Sequence, residues 1–280
     1  MSSRAATLWG VELFYTGIIG VARLLFRIQG LKISMTGEQN FPARGGAVVM
    51  INHTGYFDFV YAGIPAREHK RFIRYMAKAE VFDHPVGGPV MRKMKHIPVD
   101  RAAGKDSFDE AVSRLRAGEL VGVFPEETIS RSFELKAFRS GAARMALEAG
   151  VPVIPMVLWG SQRVWTKGHP KRLGRTNTPI TIKVGAPIAP YEPAADMTAE
   201  LHTVMEKMLH EVQQGYTHEP GAHWVPQRLG GSAPSLEEAN AEDERVAAER
   251  RARKEQARQE KERLERGGRP GDTGTGGSAQ

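Results

Sequence analysis

The 280-residue chain, 41% hydrophobic, can bury one good core and carry appendages, and its lack of cysteine excludes disulfides, thiolate metal sites and cysteine nucleophiles. The net charge of +7 is uneven: residues 237–280 hold 10 basic and 11 acidic residues, leaving 29 basic and 21 acidic, a net +8, on the rest. A basic body suits anionic membranes or acidic substrates, and with no nucleic-acid motif beside it no nucleic-acid partner is expected.

From Leu8 to Phe26 the chain is largely apolar, interrupted by Glu12 and Arg23 and broken in its middle by Gly17 and Gly20. The charge-free run Leu13 to Ala22 is too short for a bilayer span, which needs about 20 predominantly apolar residues. It also lacks a basic leader beyond Arg4, and no small-x-small cleavage site follows it. Residues 1–30 therefore read as one or two amphipathic helices lying in the headgroup plane, a depth that suits Trp9 and Tyr15. A helix packed on the protein's own core and a tilted single span are the alternatives.

Strand and helix signals then alternate. Leu31–Met35 and Ala47–Ile51 read as strands, Tyr56–Ala66 as a helix and Phe72–Met76 as a strand. Ser107-x-x-Glu110 reads as a capping box opening a helix with Phe108, Ala111, Val112 and Leu115 on one face, stopped by Gly118. A strand runs into Phe124, and a helix capped by Ser140 ends at Gly150. Strands Val151–Leu158 and Ile180–Val184 follow, then an amphipathic helix with Met197, Leu201, Val204, Met208 and Val212. This alternation predicts one α/β domain over residues 31–216 with a central sheet.

Chemistry gathers where strands end. His53 and Asp58 are five residues apart, a spacing that puts them on different faces of a helix. They meet if His53 ends the strand Ala47–Ile51 and Asp58 opens the next helix, with Thr54-Gly55 as the turn. A carboxylate on one ring nitrogen fixes the tautomer and leaves the other free to take a proton. A lone His–Asp pair is more often a structural hydrogen bond, so the neighbouring segments matter. These are His96-Ile97-Pro98-Val99-Asp100-Arg101, Phe124-Pro125-Glu126-Glu127-Thr128 and Val153-Ile154-Pro155. No metal is expected, because the nine histidines show neither His-x3-His nor His-Glu-x2-His spacing.

In this order the segments resemble the four motifs of the glycerophospholipid acyltransferases, of the bacterial 1-acylglycerol-3-phosphate acyltransferase type, over roughly residues 30–190. His53 and Asp58 match the His-x4-Asp motif, Arg101 the second, Phe124-Pro125-Glu126-x-Thr128 the third and Pro155 the fourth. The resemblance implies a central mixed sheet flanked by helices, behind N-terminal membrane-associating helices. It implies transfer of a fatty acyl group from acyl-CoA, or an acyl carrier protein thioester, to a lysophospholipid hydroxyl. His53 would be the general base, Asp58 its orienter, and Arg101 and Glu126 would bind the acceptor's polar head. No cofactor is implied beyond the thioester co-substrate. An enzyme of this kind works peripherally or monotopically on the cytoplasmic face of the membrane. Two residues depart from the family pattern: the usual glycine is Glu127, and the arginine implied to hold the acceptor's phosphate is Ile129. Arg131, Lys136 or Arg139, just downstream, are candidates to supply that charge, with solvated surface cations as the alternative.

Residues 217–236 read as a linker or wrapping loop, in which Trp224 argues for docking. Residues 237–266 read as a charged helix with pairs such as Glu249–Arg253 and no apolar stripe, and 267–280 as a disordered tail. Two other classes remain: a hydrolase using Ser130, which lacks the Gly-x-Ser-x-Gly elbow, and a non-catalytic lipid binder, which needs neither His53 nor Asp58.

Overall fold

The computed structural model describes residues 3–100 and 104–267, with side chains from 12 to 264 within those spans. Helix α1 (Ser3–Ile28) leads into strand β1 (Lys32–Thr36) and the fully buried strand β2 (Ala47–Ile51). Helix α2 (Asp58–Glu68), strand β3 (Ile73–Lys78) and the short helices α3 (Ala79–Phe82) and α4 (Gly87–Lys93) follow. Strand β4 (Ile97–Val99), helix α5 (Gly104–Arg116) and strand β5 (Leu120–Val123) precede helix α6 (Gly141–Ala149). Strand β6 (Val153–Trp159), strand β7 (Pro179–Val184) and helix α7 (Ala194–Gln213) complete the α/β pattern.

The seven strands form one sheet in the order β1-β7-β6-β2-β5-β3-β4. It is mixed: β6 and β7 are antiparallel, and the other neighbours are parallel. Successive side chains of a strand point to opposite faces, and the central strands are apolar on both. Val48, Met50, Val121, Val123, Val153 and Val157 pack with α5, α6 and α7. Ala47, Val49, Ile51, Ile154, Met156 and Leu158 pack with α2 and with Phe26 of α1. This is the pattern of strands covered by helices on both sides. Because β2, β5 and β6 run in the same direction, their carboxyl ends open onto one edge, where ligands bind in such sheets.

Several local expectations change. Helix α1 runs unbroken through Gly17 and Gly20. Its inward residues anchor it: the Tyr15 hydroxyl donates to the Ile73 carbonyl at 3.0 Å, and Phe26 joins the core. Leu13, Val21, Leu24, Leu25 and Ile28 are exposed. Among the described residues, no helix is long and apolar enough to cross a membrane. Ser107 is not a cap, because α5 has already begun at Gly104, whose carbonyl accepts the Ser107 hydroxyl at 3.1 Å. Gly150 does end α6, at φ 65°, a conformation an L-residue adopts at a cost of about 1–2 kcal/mol.

The stretch after α7 wraps the body: Trp224, Val225 and Ala233 are buried in the core, and the Arg163 guanidinium lies 4.3 Å from the Trp224 ring centroid. The chain divides after Ala233. The second unit holds helix α8 (Leu236–Gly267), opened by a reciprocal cap in which the Glu238 amide donates to the Ser235 hydroxyl at 3.2 Å and Glu238 Oε2 accepts the Ser235 amide at 2.8 Å. Its ion pairs link Arg245 to Glu242 and Glu249, and Arg258 to Glu255 and Glu262. The tail beyond Gly267 lies outside the described residues.

Gly122 in β5 leaves room for its neighbours: a Cβ there would come within 2.5 Å of Ile73 Cγ2 and 2.7 Å of Tyr75 Cδ1. Both neighbours are buried and cannot move into solvent. Gly122→Ala is expected to lower stability by about 1–3 kcal/mol through overpacking, read from the urea midpoint.

Candidate active site

His53 stands just past the end of β2, held through its backbone and its ring. Its amide donates to Glu126 Oε1 at 2.8 Å, and its carbonyl accepts the Ser130 amide at 2.8 Å. The ring stacks on Phe124 at 4.3 Å between centroids. Nδ1 lies 2.9 Å from Oδ2 of Asp58, the first residue of α2. Asp58 is fully buried, whereas the His53 side chain keeps 21% of its surface exposed. Oδ2 also accepts the amides of Thr54 at 2.7 Å and Gly55 at 2.8 Å, and the Ser161 hydroxyl donates to Oδ1. With its Nδ1 proton committed to Asp58, the ring has Nε2 as its acceptor nitrogen. A hydroxyl placed at Nε2 would find a base.

The surrounding strand ends are tied by side chains. Asn52 Nδ2 donates to the Leu158 carbonyl at 3.0 Å and Asn52 Oδ1 accepts the Leu158 amide at 2.7 Å, carrying the β2–β6 pairing past Ile51. Glu126, expected to touch the acceptor head, instead faces the protein's own backbone. Its Oε2 accepts the Lys136 amide at 3.1 Å while Oε1 holds His53, and the residue is 5% exposed. Burial pushes its carboxyl up to about 8, against the pull of the Lys136 and His53 amides.

Glu127, where the resemblance leads one to expect glycine, has φ 60° and closes a turn in which its amide donates to the Phe124 carbonyl at 3.0 Å. That turn leaves Thr128 half-buried and sends Ile129 into the core, 4% exposed. Thr128 Oγ1 accepts Lys167 Nζ at 3.3 Å. Of the three candidate cations, Arg139 is exposed and pairs with Glu127 at 3.6 Å, and Lys136 is half-buried, with its backbone on Glu126. Arg131 is half-buried against the backbone of Gly168, where a Cβ would come within 2.7 Å of its Nη1. Pro155 is buried inside β6 opposite Met50, its carbonyl taking the Gly185 amide at 2.8 Å, so it supports the sheet beneath the site. Arg101 lies outside the described residues. Ser161 and Lys167 carry no motif signal, and the place of Asn52 just before the His-x4-Asp motif does not report its contact with Leu158; only the fold brings residues 52, 128 and 158–167 together.

A family model described as Acyltransferase matches residues 32–159. A 1-acyl-sn-glycerol-3-phosphate acyltransferase of Bacillus subtilis is 27% identical over 186 residues, covering 65% of this chain and 90% of the relative. One from Limnanthes douglasii is 32% identical over 204 residues, covering 71% of this chain and 67% of the relative. The solved structure of the 1-acyl-sn-glycerophosphate acyltransferase of Thermotoga maritima has a similar fold, with a TM-score of 0.56 at 20% identity over 77% of this chain and 99% of that one.

Two expected outcomes follow from this loop. Glu127→Gly should be about 1 kcal/mol more stable than Glu127→Ala in chemical denaturation, since both lose the exposed ion pair and only glycine relieves the left-handed backbone. For Glu126, the folded carboxyl titrates near 8 and the unfolded one near 4.5, so the folded state holds a proton that the unfolded state releases. Its contribution to stability is complete below about 4.5 and is lost as pH rises to about 8. The urea midpoint of the wild type should fall across that window by an increment that Glu126→Gln lacks.

Proposed function

Since the chain belongs to the glycerophospholipid acyltransferase family, of the 1-acylglycerol-3-phosphate type, we propose that it moves a fatty acyl group from acyl-CoA to the free hydroxyl of a lysophosphatidate. The observation that carries this reading is the His53–Asp58 contact at the mouth of the parallel strands. Nε2 of His53 takes the hydroxyl proton as the acceptor oxygen attacks the thioester carbonyl. Asp58 keeps the ring in the required tautomer and stabilises the imidazolium that forms. Collapse of the tetrahedral adduct breaks the carbon–sulfur bond, and the imidazolium returns the proton to the departing thiolate. The products are a diacyl phosphatidate and the free thiol. No acyl-enzyme forms, and the reaction needs no bound cofactor besides the thioester co-substrate. An acyl carrier protein thioester would satisfy the same chemistry.

Glu126 acts in this scheme by holding the His53 backbone, and Arg101 would meet the acceptor phosphate, a role that rests on the family resemblance. The exposed apolar residues of α1 support peripheral or monotopic attachment to a membrane, on the cytoplasmic face by the family resemblance. The burial of Ile129 favours one second reading, in which the acceptor is another lysophospholipid or a glycolipid. A serine hydrolase is disfavoured: Ser130 is fully buried, and its hydroxyl donates to the Glu134 carbonyl at 2.7 Å.

The test is acyl transfer from palmitoyl-CoA to lysophosphatidate in detergent. His53→Ala should fold and lose about 10²–10⁴-fold in kcat, the usual size of general-base help. Ser130→Ala should retain transfer. Thioester cleavage without acceptor, abolished by Ser130→Ala, would replace this reading with a hydrolase.

A further inference from the structure

We propose that Lys167, with the hydroxyl of Thr128, forms a subsite for the phosphoryl group of a substrate; this rests on the acyltransferase reading. Lys167 lies beyond the residues that the family model matches, 32–159, and carries no motif. Its position follows from two sets of bonds that grip the His53 loop from opposite sides. On one side, Glu126 and Ser130 bond the amide and carbonyl of His53 and thereby fix Thr128 between them in the chain. On the other, the Trp165 carbonyl accepts the Tyr56 amide at 3.0 Å, and the Thr166 hydroxyl donates to the Thr54 carbonyl at 2.6 Å. The two segments close on each other where Lys167 Nζ donates to Thr128 Oγ1 at 3.3 Å. The ammonium is thus held one residue from a bond to the loop of His53.

Cations outnumber carboxylates around it, the nearest acid in the chain being Glu127, beside Thr128 and paired with Arg139. The Arg131 guanidinium lies against Gly168, the next residue after Lys167, and Lys171 Nζ sits 4.2 Å from the Trp165 ring centroid. Burial, followed by the neighbouring His223 and Arg131, holds His169 below its ordinary value. Cations drawn to one loop create a local field that favours an anion. The Thr128 hydroxyl, while accepting from Lys167, keeps its own O–H to donate. Ile129 cannot supply the cation, being turned into the core. An ammonium point charge beside a hydroxyl suits a phosphate. That phosphate is carried by a lysophosphatidate acceptor, and the phosphates of coenzyme A offer the same chemistry.

Steady-state kinetics of Lys167→Gln, Lys167→Arg and Thr128→Val separate these sources. With lysophosphatidate as the varied substrate, Lys167→Gln should raise KM about tenfold or more, the loss expected for a charge-assisted hydrogen bond, with kcat far less affected. Lys167→Arg should recover part of that loss, and Thr128→Val should move KM in the same direction. Transfer to a monoacylglycerol, which has no phosphate, should not change, so the preference for the phosphorylated acceptor shrinks. A rise in the KM of palmitoyl-CoA, absent for palmitoyl-pantetheine, would place the donor's phosphates in the subsite. Unchanged KM values for both substrates overturn the proposal. If the wild type transfers to neither acceptor, the acyltransferase reading fails on its own. The subsite is then judged by calorimetric titration with glycerol 3-phosphate: binding lost in Lys167→Gln supports it, and equal or absent binding in the wild type refutes it.

Discussion

The backbone at the carboxyl ends of β2 and β6 is buried where the sheet ladder stops, and its polar groups need partners the ladder no longer supplies. Side chains take over that task. Asn52 pairs with both backbone groups of Leu158, Glu126 takes the amide of His53, and Asp58 takes those of Thr54 and Gly55. The carbonyls of His53 and Thr54 are met by the Ser130 amide and the Thr166 hydroxyl. Each bond is worth only about 1 kcal/mol net, but leaving one of these groups unpaired costs about 1–3 kcal/mol. The loop that carries His53 is therefore held in one conformation by the requirement to satisfy its own backbone.

That requirement also divides labour between two buried carboxyl groups. Asp58 meets the imidazole and three other donors, so it serves the loop's fold and the ring's orientation at once. Glu126 meets only backbone, joining the end of β2 to the loop after β5. One carboxyl group acts on the ring and the other on the chain beneath it. A ring so fixed needs little reorganisation to accept a proton, which is what preorganisation supplies in catalysis.

Much of this was legible in the chain. Unbroken apolar runs such as Ala47–Ile51, short and bounded by turn residues, read as strands covered on both faces, and Gly150 as the stop of its helix. That His53 and Asp58 could meet across a strand-to-helix turn followed from their spacing together with the apolar run Ala47–Ile51 and the Thr54-Gly55 turn signal. What was not legible depends on long-range packing. Ser107-x-x-Glu110 and Ser235-x-x-Glu238 have the same pattern, yet only the second caps a helix, because α5 had already started when it reached Ser107. Two glycines failed to break α1, since each costs a helix only about 1 kcal/mol and the tertiary contacts of Tyr15 and Phe26 help to hold it. The direction of the Glu126 side chain depends on amides 73 and 10 residues away in the chain, which no local pattern reports.

The departure at Ile129 is where backbone geometry bears on specificity. The left-handed residue at 127 turns the chain, after which Thr128 is half-buried and Ile129 is buried. Position 129 falls on the core side. An arginine held there in the same pose would bury a guanidinium, which costs several kcal/mol unless it is paired and hydrogen-bonded. An isoleucine at that position gains from burial instead. The turn that leaves Thr128 half-buried therefore removes the neighbouring position as a source of charge. Cations reach this side of the site from two places: Arg131, two residues on and against Gly168, and a second segment of the chain. The 165–167 stretch is bonded to the His53 loop, and it brings Lys167 to Thr128.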